Sequence, residues 1–135
     1  SNIPGSLKEL QKKSPKKSAL FLEKDESALS AIEKMKENGF SQIPVTNEGK
    51  LVGMLSEKDM LDHLLSTDLN QDNGQTKIEF VMNRNVSTAL LETPIQQIKN
   101  LLLKTDSVVI IDRNRRPQQV ITQIDLVDWL SSAQM

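Results

Sequence analysis

The sequence predicts an α/β fold made of two equivalent units, each with the order strand, helix, strand, strand, helix (βαββα). The first observation is a repeated phrase: residues 51–61 are echoed by residues 117–127, 66 positions later. In both copies an apolar run ends in a hydroxyl residue, an acid follows three positions on, and a second apolar run begins. The second observation is that the apolar positions preceding each phrase also match. Each unit alone is too small to hold a core, so we expect the two to pack with pseudo-two-fold symmetry.

Composition excludes several classes of function. The 135 residues are 37% hydrophobic and 26% charged, which is typical of a soluble globular protein, and the net charge of −1 gives no basic field for nucleic acid. There is no Cys, and His63 is the single His, so thiolate chemistry, a His-based metal cluster and a nucleophile–His pair are all excluded. No stretch is apolar enough for a membrane span or a signal peptide. We therefore expect a cytoplasmic protein that is not an enzyme and holds no metal.

Residues 1–17 are predicted to be a linker with a tag remnant. Ser1 and Asn2 resemble the scar of a cleaved tag. Five lysines and Pro15 within residues 5–18 predict a solvated linker or a fraying helix. Such a segment is compatible with a tether from an upstream domain, so the chain is expected to be a piece of a longer protein.

The first unit is expected to span residues 18–65. A short apolar strand at residues 20–22 precedes Ser27, a predicted helix N-cap, and Gly39 is predicted to end the helix. Residues 43–45 and 51–55, joined by a turn at 47–50, predict a hairpin. Ser56 then opens the last helix of the unit.

Residues 66–83 are predicted to connect the units, and residues 84–132 to form the second unit. The connector is rich in Asp, Asn, Gln and Gly up to Thr76, and Ile78, Val81 and Met82 suggest a short helical turn. The second unit repeats the apolar pattern of the first without a gap. Trp129 and His63 fall at equivalent positions late in the final helices, where we expect packing or interface roles.

The repeated Ser/Thr-x-x-Asp motif has two readings. At a helix N-cap, the hydroxyls of Ser56 and Thr122 lie beside free backbone N–H groups, where a phosphate can bind. Asp59 and Asp125, one turn later, can accept two hydrogen bonds from the vicinal hydroxyls of a ribose. The alternative is a capping box, in which the acid bonds back to the N–H of the cap residue. The two readings are compatible, because a cap can also contact a ligand.

At this point the chain resembles a known family, the tandem pair of CBS domains called a Bateman module. The segments that carry the resemblance are GFSQIPV at 39–45, GMLSEKD at 53–59 and VITQIDL at 120–126. It covers about residues 18–132. The resemblance implies two βαββα repeats, with AMP, ADP, ATP or S-adenosylmethionine bound as a regulatory ligand in clefts between them.

The resemblance also implies site residues. In one site Thr122 and Asp125, with Ile124 between them, face an adenine wall formed by Phe40, Ser41, Gln42 and Ile43. The pseudo-symmetric site pairs Ser56 and Asp59 with residues 106–109, which include Ser107 and Val109. For Phe40 a plain packing contact after Gly39 remains the alternative. Lys50, Lys58 and the arginines at 113, 115 and 116 are either phosphate contacts or ordinary turn charges.

Residues 39–45 and 120–130 further resemble the C-terminal regulatory module of cystathionine β-synthase. This resemblance implies a non-catalytic module that controls an attached or partner enzyme, with an upstream catalytic domain, and a homodimer formed through the CBS helices. Two departures, Gln119 in place of Gly53 and Ile110 in place of Pro44, favour the alternative of a structural dimerisation module without a ligand. Gln119 is also expected to hinder close approach of a ligand to the backbone.

Overall fold

The structure is a computed structural model that describes residues 5–11, 20–66 and 74–133. These residues fall into two compact units, which we call the first repeat (residues 20–66 and 74–86) and the second repeat (residues 5–11 and 87–133). Each contains a three-stranded sheet and helices, so the predicted α/β class and the two βαββα repeats are confirmed. The predicted tag scar lies outside the described residues. No helix in the described part of the chain is long and apolar enough to cross a membrane.

The first repeat contains strand β1 followed by helix α2, the hairpin strands β2 and β3, helix α3 and a short 3-10 helix. Their bounds are β1 Leu22–Glu23, α2 Ala28–Asn38, β2 Gln42–Asn47, β3 Lys50–Ser56, α3 Glu57–Ser66 and 3-10 helix Ile78–Phe80. The sheet order is β1-β2-β3, with β1 parallel and β3 antiparallel to β2. The helices cover one face of this sheet, and their apolar side chains form a single core with it.

Local signals in the sequence position α2 as predicted. The Ser27 hydroxyl oxygen accepts a hydrogen bond from the Ser30 N–H at 3.1 Å, which makes Ser27 the N-cap. Gly39 ends the helix with a φ of 65°, a left-handed conformation that glycine adopts without a Cβ penalty. The chain then returns along β2, whose Ile43 and Val45 side chains are fully buried against the helices.

The second repeat has the same element order. Its bounds are β4 Thr88–Ala89, α4 Ile95–Leu102, β5 Ser107–Ile111, β6 Pro117–Thr122 and α5 Gln123–Ala133. The sheet order is β4-β5-β6, again with one parallel and one antiparallel pair. Here α4 begins after Pro94, which cannot cap through its side chain. Thr93, which the sequence repeat aligns with Ser27, lies one position before this N-cap and accepts a hydrogen bond from the Leu90 N–H at 2.9 Å.

Residues 5–11, which fall within the predicted linker, belong to the second repeat. They contain helix α1 (Leu7–Gln11), which packs into the core of the second repeat with Leu7 fully buried and Leu10 6% exposed. The Gly5 carbonyl accepts a hydrogen bond from the Ile95 N–H at 2.9 Å. Two leucines three positions apart supply one short apolar face, which is enough to hold a single helical turn on an existing core. The other residues of the predicted linker, 1–4 and 12–17, lie outside the described part of the chain.

The described part of the predicted connector also belongs to a repeat. The predicted helical turn is confirmed as the 3-10 helix, and Ile78 is fully buried in the core of the first repeat. Asn83 pairs with Met54 of β3 through two backbone hydrogen bonds of 2.8 and 2.9 Å. The segment therefore extends the first repeat to residue 86 rather than only joining two units.

Candidate functional site

Ser56 and Asp59 form a complete capping box at the junction of β3 and α3. The backbone N–H and the hydroxyl of Ser56 both donate to Asp59 Oδ2, at 2.9 and 2.8 Å. In return the Asp59 N–H donates to Ser56 Oγ at 3.1 Å. Both residues are half-buried. The capping alternative is thus confirmed for this copy, and the carboxylate is fixed at the positive end of the α3 dipole.

The second copy repeats two of these hydrogen bonds at the junction of β6 and α5. The Thr122 N–H and hydroxyl donate to Asp125 Oδ2 at 2.9 and 3.1 Å, and both residues are half-buried. The sequence repeat therefore produces two equivalent arrangements of one hydroxyl and one carboxylate. Both box bonds of Asp59 use Oδ2, and a carboxylate has a second oxygen that also accepts hydrogen bonds, so capping does not preclude ligand binding there.

A polar cleft of about 240 Å³ opens beside Asp59. Its lining comprises Asp59, Asp62, His63, Ser66, Phe80 and Val81. The four residues from α3 lie at spacings of three and four, which places them on one helix face. Of these residues only Asp59 was predicted to belong to a site, although the spacing of three and four along α3 was a usable signal. His63, for which a packing or interface role is expected, is half-buried and also lines this cleft.

The segment predicted as an adenine wall in the first repeat has mixed exposure. Ser41 is exposed and its carbonyl accepts a hydrogen bond from the Glu57 N–H at 2.9 Å, while Gln42 pairs with Ser56 across the sheet. The Ile43 side chain is fully buried in the core of the repeat, so Ile43 can meet a ligand only through its backbone. Phe40 is 38% exposed and lines a groove between α2 and α3.

The equivalent segment in the second repeat follows the same pattern. Ser107 is half-buried and pairs with Thr122 across the β5–β6 ladder. The Val109 side chain is fully buried, which limits this residue too to backbone contacts. Ile124, between the two box residues, is 69% exposed on the first turn of α5. Serines thus lie beside both boxes at the surface, whereas the predicted aliphatic residues on the strands face inward.

Gly53 lies close to a later segment of its own repeat. A Cβ at position 53 would lie 2.6 Å from Met82 Sδ and 3.0 Å from the Asn83 carbonyl oxygen. The glycine therefore makes room for the following segment of its own repeat. Its replacement by Gln119 in the second repeat reflects a different neighbour, Gln11, whose Oε1 accepts a hydrogen bond from Gln119 Nε2 at 3.0 Å. The glycine change consequently carries no argument against a ligand at Thr122 and Asp125.

Charged groups near the boxes are mostly solvated. Lys58, Lys50 and the arginines at 113, 115 and 116 are exposed. Among the described residues, no group of three His, Cys, Asp or Glu side chains is placed to hold a metal ion. The chemistry that the two boxes offer is hydrogen bonding by a hydroxyl and a carboxylate.

Comparison with known proteins gives two related sequences. The chain is 29% identical over 108 residues to the uncharacterized protein MJ1225 of Methanocaldococcus jannaschii, an alignment covering 72% of this chain and 38% of that protein. It is 27% identical over 111 residues to cystathionine beta-synthase of Dictyostelium discoideum, covering 78% of this chain and 22% of that enzyme. The chain thus spans well under half the length of these relatives.

Among solved structures, the fold resembles the CBS domain pair of protein MJ0100, determined in complex with 5′-methylthioadenosine and S-adenosyl-L-methionine. The TM-score is 0.76 at 22% identity, with 96% of this chain and 99% of that chain covered. The model of the CBS domain matches residues 7–66 and 78–132, which include helix α1 and both boxes. The chain therefore belongs to the CBS-domain family and is a tandem pair of CBS domains.

Proposed function

We propose that this CBS pair is a regulatory module that binds an adenosyl ligand and thereby controls an attached or partner enzyme. The observation that carries the proposal is the matched geometry of the two boxes, each presenting a half-buried Ser or Thr hydroxyl and an Asp carboxylate at a helix N-terminus. A carboxylate in that position suits the 2′- and 3′-hydroxyls of a ribose. The proposed ligands are AMP, ADP, ATP and S-adenosylmethionine, bound by Ser56 and Asp59, by Thr122 and Asp125, or by both pairs.

The remaining predicted contacts form part of the same proposal. Ser41, Gln42 and the Ile43 backbone are proposed for one adenine wall, and Ser107 with the Val109 backbone for the other. Phe40 and Ile124 are proposed at the edges of these walls. The polar cleft beside Asp59 supports a ligand there, because a pocket with several polar groups that converge on one space is a common binding arrangement.

Control of an enzyme would follow from a difference in ligand affinity between two arrangements of the module. The ligand can shift such an equilibrium only by that difference, so regulation and binding are separate properties. We further propose a cytoplasmic enzyme like cystathionine β-synthase as the controlled partner. The 27% identity to the Dictyostelium enzyme supports this choice. The module itself is proposed to be non-catalytic, and turnover of any panel nucleotide by the purified chain would contradict that.

The test is a thermal-shift and calorimetry panel with AMP, ADP, ATP, S-adenosylmethionine and 5′-methylthioadenosine, with GMP as the base control. A ligand that binds the native state at about 100 times its Kd stabilises it by about 2.7 kcal/mol, which gives a clear rise in melting temperature. Asp59→Asn and Asp125→Asn remove the charge yet keep an oxygen for the cap. Loss of the shift in either variant would assign the site that is used. No shift and no heat with folded wild-type protein would contradict the proposal.

A loss of stability alone could mimic a loss of binding, so a matched control is needed. Ser27→Ala removes the N-cap of α2, which lies on a different helix from the boxes. It should lower the melting temperature while the ligand-induced rise stays unchanged. If Ser27→Ala abolishes the rise as fully as the box variants do, the box residues have no specific role.

A second proposal, homodimer formation through the CBS helices, rests on the exposed apolar residues of the helices. In the first repeat a groove of about 420 Å³ lies between α2 and α3, and nearby Leu61 and Leu65 are 57% and 78% exposed. In the second repeat a groove of about 310 Å³ lies between α4 and α5, where Leu103 and Val127 are 72% and 56% exposed. Apolar patches of this kind mark interfaces. They also favour the alternative of a dimerisation module without a ligand.

A further inference from the structure

Helix α1 and the segment around the 3-10 helix are equivalent elements, one completing each repeat. The Gly5 carbonyl accepts a hydrogen bond from the Ile95 N–H at 2.9 Å, just as the Thr76 carbonyl accepts one from the Ala28 N–H at 2.8 Å. The backbone bridge between Ser6 and Pro94 in the second repeat corresponds in the same way to the bridge between Lys77 and Ser27 in the first repeat. Each repeat is therefore closed by a short helical segment from outside its βαββα unit.

The apolar anchors of the two segments are also equivalent. Leu7 in α1 and Ile78 in the 3-10 helix are both fully buried in the core of their own repeat. Beyond this anchor the two segments differ. In the first repeat the Met82 side chain fills the space beside Gly53, so that contact is apolar.

In the second repeat the corresponding contact is an amide pair. Gln119 Nε2 donates to Gln11 Oε1 at 3.0 Å, and Gln119 is 7% exposed. Gln11 Nε2 and Gln119 Oε1 are buried without a hydrogen-bond partner among the described residues. The pair therefore makes one hydrogen bond and leaves one donor and one acceptor desolvated, which offsets much of what the bond contributes.

Within the described part of the chain, α1 is held by two apolar side chains and by a small set of hydrogen bonds. It has five residues, a length at which a helix in water is not stable by itself. Besides Leu7 and Leu10 it is held by backbone bonds such as that from the Lys8 N–H to the Leu91 carbonyl at 3.2 Å. The sheet of the second repeat, by contrast, is held by the parallel β4–β5 pairing and by the antiparallel β5–β6 ladder, which runs from Ser107 to Ile111 with one register shift. The attachment of α1 is therefore weaker than the structure to which it attaches.

We propose that α1 is a releasable strap on the second repeat, which opens at the Gln11–Gln119 contact while the β4–β5–β6 sheet stays folded. Release exposes the apolar surface that Leu7 and Leu10 cover. The equivalent 3-10 segment of the first repeat, with an apolar contact in place of the amide pair, stays attached. The strap is a property of the fold and does not depend on a ligand.

Native-state hydrogen exchange followed by NMR tests the strap directly. The Ile95 and Lys8 amides report on α1, because their acceptors are Gly5 and Leu91, and the Val109 amide, bonded to the Ser87 carbonyl at 2.9 Å, reports on the sheet. We expect the two strap amides to exchange faster than Val109 in the wild type. The double variant Gln11→Met/Gln119→Gly places in the second repeat the residue types of Met82 and Gly53, which are in contact in the first repeat. It should slow the strap amides roughly tenfold relative to Val109, since it removes two unpaired buried groups.

Trp129 provides a second measurement, because it is the one Trp of the chain and lies in the same core cluster as Leu7 and Leu10. Leu10→Asp should increase acrylamide quenching of Trp129 and shift its emission to longer wavelength, while Val109 stays protected. Lys8→Ala, at an exposed position of α1, is the matched control and should change neither.

Two outcomes would overturn the strap. One is wild-type exchange in which Ile95, Lys8 and Val109 open with the same free energy. The other is loss of Val109 protection in Leu10→Asp, since α1 would then be inseparable from the sheet. If the double variant does not fold, the wild-type exchange rates decide the question.

Discussion

Met82 fills the space that a side chain at Gly53 would need, with Sδ 2.6 Å from the position of a Cβ. Gly53→Ala should therefore destabilise the first repeat by about 1–3 kcal/mol, the usual cost of overpacking. The measurement is the change in urea midpoint. Met82→Ala in the same chain should recover part of the loss, because a flexible side chain makes the closest contact. A fixed contact, with the Asn83 carbonyl oxygen at 3.0 Å, should keep the recovery incomplete.

Gly39→Ala separates backbone strain from crowding. A Cβ there meets no atom within 4 Å, but φ is 65°, so the substitution forces an alanine into the left-handed region. We expect a loss of about 1–2 kcal/mol from this conformational cost. Because no neighbour crowds the site, Met82→Ala should leave the effect of Gly39→Ala unchanged. Rescue by Met82→Ala would show that the two sites interact.

The capping boxes predict different effects for two substitutions of one residue. Asp59→Ala leaves the Ser56 N–H without its acceptor and should cost about 1 kcal/mol, as loss of a cap does. Asp59→Asn keeps an oxygen acceptor and should cost less. Thermal unfolding of both variants measures whether the stability loss is larger for Ala than for Asn. Asp125→Ala and Asp125→Asn provide the same comparison in the second repeat. Equal losses for Ala and Asn would mean that the negative charge at the helix terminus matters more than the hydrogen bonds.

If the boxes bind ribose, removing one ribose hydroxyl should weaken binding. We expect 2′-deoxy- and 3′-deoxyadenosine forms of the bound ligand to lose roughly tenfold in affinity by calorimetry, from a missing hydrogen bond to a charged group. In the Asp-to-Asn variant of the site in use, the difference between the ribose and deoxyribose forms should shrink. An undiminished difference in that variant would place the ribose elsewhere.

A charge on the exposed helix faces should disrupt the proposed dimer. Leu61→Glu, at a position 57% exposed in the groove of the first repeat, should shift sedimentation toward the monomer, because it places a charge in the proposed apolar interface. Gln118→Glu, an exposed position on β6, adds the same charge away from the grooves and should leave sedimentation unchanged. Monomeric wild-type protein at every concentration would rule out the dimer.

Much of the fold could be predicted because its signals are local. Ser27 and Gly39 mark the two ends of α2 by side-chain capping and by a positive φ, and both effects depend on neighbours within a few residues. The boxes at Ser56 and Thr122 are local as well, which is why the repeated phrase identified them.

The features that could not be predicted from the sequence depend on contacts between residues that are far apart in the chain. Leu7 and Leu10 lie among lysines, so their pattern is too short to predict a packed helix, and only the core of the second repeat makes them buried. The role of Gly53 depends on Met82, and that of Gln119 on Gln11, pairs that the sequence places far apart. The family resemblance implies a place for Ile43 in an adenine wall, whereas the position of Ile43 on β2 turns its side chain into the core.

The place of α1 in the second repeat bears on the order of folding during synthesis. Gln11 and Gln119 are 108 positions apart, so α1 is made long before β6 exists to receive it. The first repeat, which spans residues 20–86, can form its own core and its closing segment as it emerges. Closing so long a loop carries an entropic cost that grows with the logarithm of its length. We therefore expect the docking of α1 to be the last step, and the apolar surface for it to stay open to chaperones until then.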